Sequence, residues 1–176
     1  VGYYGFGNTG DEVLLLKTME CIATKYPNAE IRILYTDKTL PKVKLQSVNI
    51  TRVNRWSPIS ILGAILKSHV IVFGGGEVFQ DKTSTRSLGY YLSIIKLARW
   101  TKKTCILLGQ GFSKFNQSKS EQKLADTLFK GQPTTLTTRD RQSYKMIHNI
   151  QHARIRKKYD YDKTILQSAD LAYFNS

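Results

Sequence analysis

An α/β fold, a parallel sheet with helices on both faces, is the class this sequence predicts, and three observations predict it. Segments with helical periodicity alternate along the chain with short strand-like runs, the pattern of a layered α/β domain. The strand-like runs are apolar almost throughout, as HVIVF at 69–73 and TCILLGQG at 104–111 illustrate, and such runs suit strands buried on both faces. The chain is also long enough, at 176 residues, for one domain with a sizeable core, and 41% hydrophobic against 23% charged residues is a globular balance.

Taken in order, Val1 reads as the tail of a strand already under way. DEVLLLKTMECIATKY (11–26) has apolar residues at helical spacing, and Asp11 and Glu12 fall in its first turn, where negative charge complements the helix dipole. EIRILYT (30–36) and VNITRV (48–53) read as strands. SPISILGAILKS (57–68) is a helix opened by Ser57 and Pro58, and HVIVF (69–73) is a strand that stops at three glycines. SLGYYLSIIKLARW (87–100) is a helix, TCILLGQG a strand with its exit loop, and SKSEQKLADTLFKG (118–131) a helix closed by glycine. TTLTTRD (134–140) is a strand, RQSYKMIHN (141–149) a short helix, HARIRKKYDYDK (152–163) an irregular basic connection, and ADLAYF (169–174) a last strand. In such a Rossmann-like arrangement ligands bind beyond the carboxyl ends of the strands.

Composition narrows the partners. Twenty-seven Lys and Arg against 13 Asp and Glu give a formal charge of +14, which favours anionic partners. The basic residues are scattered through every segment and no standard nucleic-acid module is present, so nucleic acid is not an expected partner. ISILGAIL (59–66) is far shorter than the ~20 apolar residues a membrane span requires. Cys21 and Cys105 fall inside a predicted helix and a predicted strand, where each reads as a small buried hydrophobe in a reducing compartment. His148 and His152 share a helical face, but with no third ligand and no nearby glutamate they do not read as a zinc site, and His69 begins a strand.

Two glycine turns carry the chemistry. GFGNTG at 5–10 is a literal G-x-G-x-x-G, yet the acidic residue that would hold a ribose should lie about 20 positions on. Asp37 is 27 residues past Gly10, so the spacing fails. The second turn, at Gly76 to Thr83, reads G-x-x-x-x-D-K-T, with Asp81 standing where a P-loop needs its last glycine. Tyr3, Tyr4, Asn8, Thr9 and Asp11 crowd the first turn with ring faces, hydroxyls, an amide and a carboxylate. That set suits a polyhydroxylated ligand better than a dinucleotide.

GYYGFGNTGDE (2–12), FGGGEVFQDKTSTRSLGYY (73–91), GQG (109–111) and TTRDRQSY (137–144), in that order and spacing, resemble the polysaccharide pyruvyl transferase family, particularly its cell-wall and S-layer branch. The resemblance covers essentially the whole chain. It implies the N-terminal half of a two-domain architecture similar to GT-B glycosyltransferases, with the site in the cleft between halves. Residues 1–176 are therefore expected to form a single domain whose donor-side counterpart lies on another domain or chain. Two departures stand out: GGGEVFQD where relatives carry a small residue and leucines after the glycines, which adds the charge of Glu77, and GQGFSKF in place of GQGIGP.

The resemblance further implies transfer of a pyruvyl group from phosphoenolpyruvate to a saccharide, commonly lipid-linked, with no cofactor; the competing readings are a non-catalytic fragment or partner subunit holding only the acceptor-binding half, or a GT-B-like glycosyltransferase domain. The expected location is the cytoplasm, with peripheral contact at the inner face of the plasma membrane. Arg139 matches the arginine, and Ser143 the serine, of the family's R-D-x-x-S segment and are expected to bind the donor. A guanidinium fork suits either a carboxylate or a phosphate, with an ion pair to neighbouring Asp140 the competing role for Arg139. Tyr4, Asn8, Thr9, Gly75, Gly76 and Gln80 are expected on the acceptor side. Asp11 or Asp81 is the candidate base, with helix capping the competing role for Asp11. Arg52, Arg55, Trp56 and Lys67 surround the apolar 59–66 stretch, a pattern that fits an interfacial patch or the basic rim of an ordinary core-facing helix.

Overall fold

The computed structural model describes residues 1–36, 48–130, 134–155 and 165–167. It contains α1 (Thr9–Lys25), β1 (Glu30–Tyr35), β2 (Asn49–Asn54), α2 (Pro58–Lys67), β3 (Val70–Gly76) and α3 (Thr85–Trp100). β4 (Thr104–Gln110), α4 (Ser118–Phe129), β5 (Thr135–Thr138), α5 (Arg141–Ile155) and β6 (Ile165–Gln167) follow. Among the described residues the strand pairings are all parallel: β1 with β2, and β3-β4-β5-β6 in sequence order.

Residues 1–4 join the two groups of strands. Val1 donates its amino group to the Val72 carbonyl (2.7 Å) and accepts from the Gly74 amide (3.2 Å), the alternation of a parallel pair. On the other side the Thr36 amide donates to the Tyr4 carbonyl (3.4 Å). The strand order is thus β2-β1-(1–4)-β3-β4-β5-β6, and the winding direction reverses between residues 1–4 and β3. That reversal is the topological switch point of a Rossmann-like fold, where the chain ends of adjacent strands diverge and open a crevice.

Alternation along β1 shows both faces covered. Ile33 and Tyr35 pack with Tyr4 and with Leu15 and Met19 of α1. Leu34, one position out of phase, joins the larger core built from Ile61 and Ile65 of α2, Leu88 to Ala98 of α3, Leu124 and Leu128 of α4 and Ile147 of α5. The fold class expected from the sequence is therefore the fold observed, with α1 on one face and the other four described helices on the opposite one.

Some elements differ from expectation. α1 begins at Thr9 because Asn8 caps it, its Oδ1 accepting from the Gly10 amide. α5 continues to Ile155, so residues 152–155 are helical and His152 lies on the helix with His148, the two Nε2 atoms 3.0 Å apart. The rest of the expected 152–163 connection falls outside the described residues, as do Asp37, the closing Gly131 and the expected strand at 169–174. β6 at 165–167 has no counterpart among the expected elements. Cys105 is buried, and burial pushes its thiol up to about 11; Cys21 is exposed, contrary to its reading as a buried hydrophobe, because it lies on the outer side of α1. Among the described residues no group of three or more His, Cys, Asp or Glu could hold a metal ion, and no helix is long and apolar enough to cross a membrane.

Candidate functional site

The two glycine turns meet at the switch point. β3 ends in Gly74–Gly76, and α1 leans so closely on this end that side chains are excluded. A Cβ on Gly74 would lie 2.4 Å from Thr18 Oγ1, and one on Gly75 3.0 Å from Leu14 Cδ2. Gly75 and Gly76 also have φ of 75° and 88°, a region L side chains rarely adopt, and this turns the chain out of the strand towards Glu77. Between the turns lies a cavity of about 670 Å³, a size suited to a small ligand, lined among others by Tyr3, Asn8, Asp11, Glu77, Gln80 and Arg139.

Asp11 lies in the first turn of α1, with its Oδ1 3.3 Å from where a Cβ on Gly76 would sit. Partial burial, and then the charge of Glu12, raise its pKa above the ordinary carboxylate value, although the Asn8 amide donates to Oδ2 and opposes the shift. Glu12 itself is committed to structure: its oxygens accept from the Gly5 amide (2.7 Å) and the Tyr35 hydroxyl (3.0 Å), bracing the first turn. With two carboxylates in this turn, the α1 N-terminus is a poor seat for a pyrophosphate, in keeping with the failed dinucleotide spacing.

Arg139 enters from the end of β5. Its Nη2 donates to Glu77 Oε2 and its Nε to Asp140 Oδ2, both at 3.1 Å. Gly111 makes room for it, since a Cβ there would fall 2.7 Å from the guanidinium carbon. Asp140 lies just ahead of α5 and accepts from the Ser143 amide (2.7 Å). Desolvation pushes its pKa up, but the Ser143 and Arg139 hydrogen bonds outweigh it and hold the carboxyl below its usual range. Gln80 also reaches the cavity, shaping its own loop by accepting from the Lys82 and Thr83 amides and donating to Thr83 Oγ1.

Five expected site residues do not line the cavity. Gly75 is buried against Leu14 of α1. Tyr4 is buried, its hydroxyl donating to the Gly74 carbonyl (2.9 Å), and burial holds its pKa well above the ordinary value. Its neighbour Tyr3 lines the cavity instead. Asp81 is only 6% exposed and does not line the cavity; its two oxygens accept from the Asn116 (2.8 Å) and Gln117 (2.9 Å) amides at the head of α4. Burial alone would raise its pKa, but the bonds from Asn116, Ser120 and Gln117 hold it below the usual range. It thereby supplies the cap that Gln117, in the N-cap position, does not. Ser143 is buried too, its Oγ accepting from the Phe112 amide (2.8 Å) and so tying α5 to the loop after β4. Thr9, in the first turn of α1, is exposed beside the cavity-lining Asn8 and Gly10.

The sequence reading missed Tyr91. It sits on the cavity wall, and its hydroxyl accepts from Arg55 Nη2 (3.1 Å). Burial raises its pKa, and Arg55 partly counters that. Because the Arg55 bond uses a lone pair, the Tyr91 proton is left to donate elsewhere. Arg55 is itself 4% exposed, which corrects its expected place in a surface patch: its Nη1 donates to the Gly2 (3.1 Å) and Tyr4 (3.5 Å) carbonyls. A basic residue directly after a strand gives no sign of burial, and only its bonds to residues 1–4 and to Tyr91 of α3 reveal it.

Fold and site together define a Rossmann-like α/β protein with a polar switch-point cleft that offers hydroxyl-binding groups, a carboxylate of raised pKa and one guanidinium. No curated protein and no solved structure matches the chain. The polysaccharide pyruvyl transferase family model matches residues 8–175, nearly the whole chain, and the protein belongs to that family of transferases.

Proposed function

We propose that the cleft takes part in transfer of a pyruvyl group from phosphoenolpyruvate to a sugar of a lipid-linked cell-wall or exopolysaccharide unit, forming a pyruvate ketal. Protonation of the donor's methylene carbon leaves a cationic centre at C2. A sugar hydroxyl adds there, and a second hydroxyl of the same sugar then displaces inorganic phosphate. Overall, one hydroxyl proton is balanced by the proton gained at the methyl carbon and the other leaves on phosphate. The chemistry needs an acid, a base and cationic partners, and calls for no cofactor.

Asp11 suits the base, since its raised pKa places its proton exchange nearer neutrality and it borders the cavity. Asn8, Thr9, Gln80 and Tyr3 supply acceptor contacts, and Gly76 gives the sugar a wall without a side chain. Arg139 binds the donor's carboxylate or phosphate. Asp81 and Ser143 act at one remove, by fixing the loops that carry Gln80 and Arg139.

The observation that carries this reading is the convergence of Asp11 and Arg139 on one switch-point cavity in a member of this family. Arg139 is the one cation among the described residues lining the cavity, where it faces two carboxylates. A trianionic donor needs more positive charge, which favours completion of the donor side by a second domain or chain. Peripheral membrane contact through the exposed Ile59 and Leu66 of α2, beside Lys67, would bring a lipid-linked acceptor to the cleft from the cytoplasmic side. In the assembled transferase Arg139→Ala is expected to raise the Michaelis constant for phosphoenolpyruvate at least tenfold; unchanged donor kinetics would remove Arg139 from the site.

A further inference from the structure

The first glycine turn displays an aromatic side chain at the surface. Phe6 stands between Gly5 and Gly7, whose φ values of 82° and 78° both lie in the left-handed region. A Cβ on Gly7 would meet nothing within 4 Å, so close packing does not explain that glycine. Its use is conformational: the two residues turn the chain outward at Phe6, which is left 37% exposed.

Phe6 belongs to a row. Tyr3 stacks on it with ring centroids 4.0 Å apart and planes 9° from parallel, and Trp56 meets it edge-on at 6.2 Å. Tyr3 is 41% and Trp56 64% exposed. Beneath the row lies the Arg55 guanidinium, 4.8 Å from the Phe6 ring centre and 5.5 Å from that of Trp56. No described carboxylate pairs with this buried cation, and its Nε finds no hydrogen-bond partner. The backbone carbonyls and aromatic rings around it compensate its burial, so the rings are held in place from below while keeping exposed surface. At its inner end the row enters the cavity, because Tyr3 is also a cavity wall.

The geometry points to a second saccharide subsite on Tyr3, Phe6 and Trp56, outside the cavity, that takes the sugar rings next to the reacting one. Exposed, preordered aromatic surface continuous with a hydroxyl-binding cleft, with Phe6 held between Tyr3 and Arg55 and so fixing the row, suits the apolar C–H faces of pyranose rings, and the fixed positions lower the ordering cost of binding. The acceptor is accordingly an oligosaccharide unit of at least two rings. This subsite rests on the reading of the cleft as an acceptor site, and its test does not depend on catalysis.

The chain has two tryptophans, so in a Trp100→Phe background Trp56 is the sole indole reporter. Linear tetramers of glucose, galactose, mannose and N-acetylglucosamine are titrated against their monosaccharides, with binding read by fluorescence. At least one tetramer is expected to change Trp56 emission and to bind at least tenfold more tightly than its monomer. Phe6→Ala should abolish that advantage, and Trp56→Ala, followed by calorimetry, should do the same. Both side chains are partly exposed, so melting curves close to the parent's are expected and are checked first. Equal affinity for tetramers and monomers, or an advantage that survives both substitutions, would overturn the subsite. So would a blue shift of Trp56 on phosphatidylglycerol vesicles with no response to any sugar, which would make the row a lipid contact. Tetramer binding without phosphate release from phosphoenolpyruvate in the assembled system would instead count against pyruvyl transfer and leave the subsite standing.

Discussion

Arg139 Nη2 lies 3.1 Å from Glu77 Oε2, so the guanidinium nominated for an anionic donor is already held by a carboxylate from the turn after β3. Both side chains are about one-third exposed, so solvent weakens the pair, and an arriving anion competes with Glu77 for the same face. Replacing Glu77 by Gln removes the competing charge while keeping the shape. Binding of phosphoenolpyruvate, measured by calorimetry, should tighten by roughly threefold to tenfold. Weaker binding would mean that Glu77 positions Arg139 productively.

Gly111 controls the same guanidinium through space. In Gly111→Ala the new methyl would overlap the flexible end of Arg139, so the arginine swings away and the fold survives. Thermal stability should fall by no more than about 1 kcal/mol, while phosphoenolpyruvate affinity should drop nearly as far as in Arg139→Ala. Intact affinity would show that the anion does not use this position of the guanidinium.

Asp11 has a raised pKa in the fold, so its ionised form is disfavoured there relative to the unfolded chain. The resulting penalty is absent well below the ordinary carboxylate pKa of about 3.9 and grows as pH rises through that value to the folded one. Asp11→Asn should therefore raise the melting temperature by roughly 1–3 °C at pH 7, with no gain at pH 3. In the assembled transferase the same change should cut kcat by about 10²-fold or more and remove the acid limb of the pH profile. A stability gain without loss of rate would leave Asp11 no part in proton transfer.

Asp81 behaves in the opposite sense. Its pKa is depressed in the fold, so its contribution to stability is full above the unfolded value of about 3.9 and is lost as pH falls through the folded one. Asp81→Ala should cost about 1–2 kcal/mol at neutral pH, the worth of a helix cap. Urea denaturation should show the gap between parent and variant closing as the pH falls below 3. A variant of parental stability that lost only activity would return Asp81 to the list of candidate bases.

Much of this molecule was legible in its residues. The alternation of periodic and apolar segments gave the α/β class, because burial on two faces leaves a strand few polar positions. The glycine turns marked the strand ends, and Arg139 was placed at the mouth of the sheet by its position after TTLTT. The start of α2 at Ser57 followed from local capping chemistry, which involves residues only three positions apart, whereas the cap that Asn8 gives α1 was not read from the sequence.

What the sequence could not decide was which side chain of a local pair faces the cleft. Tyr3 and Tyr4 are adjacent and chemically alike, and the bonds of Val1 to β3 and of Tyr4 to Thr36 orient the segment so that Tyr4 packs inward and Tyr3 outward. Asp81 takes its partners from amides 35 and 36 residues away, and Arg55 bonds across 51 and 53 residues to Tyr4 and Gly2 and across 36 to Tyr91. Local propensity acts over a few residues, whereas the direction of a side chain in a sheet and the partner of a buried charge are set by pairing between distant segments. Only the assembled fold brings those segments together.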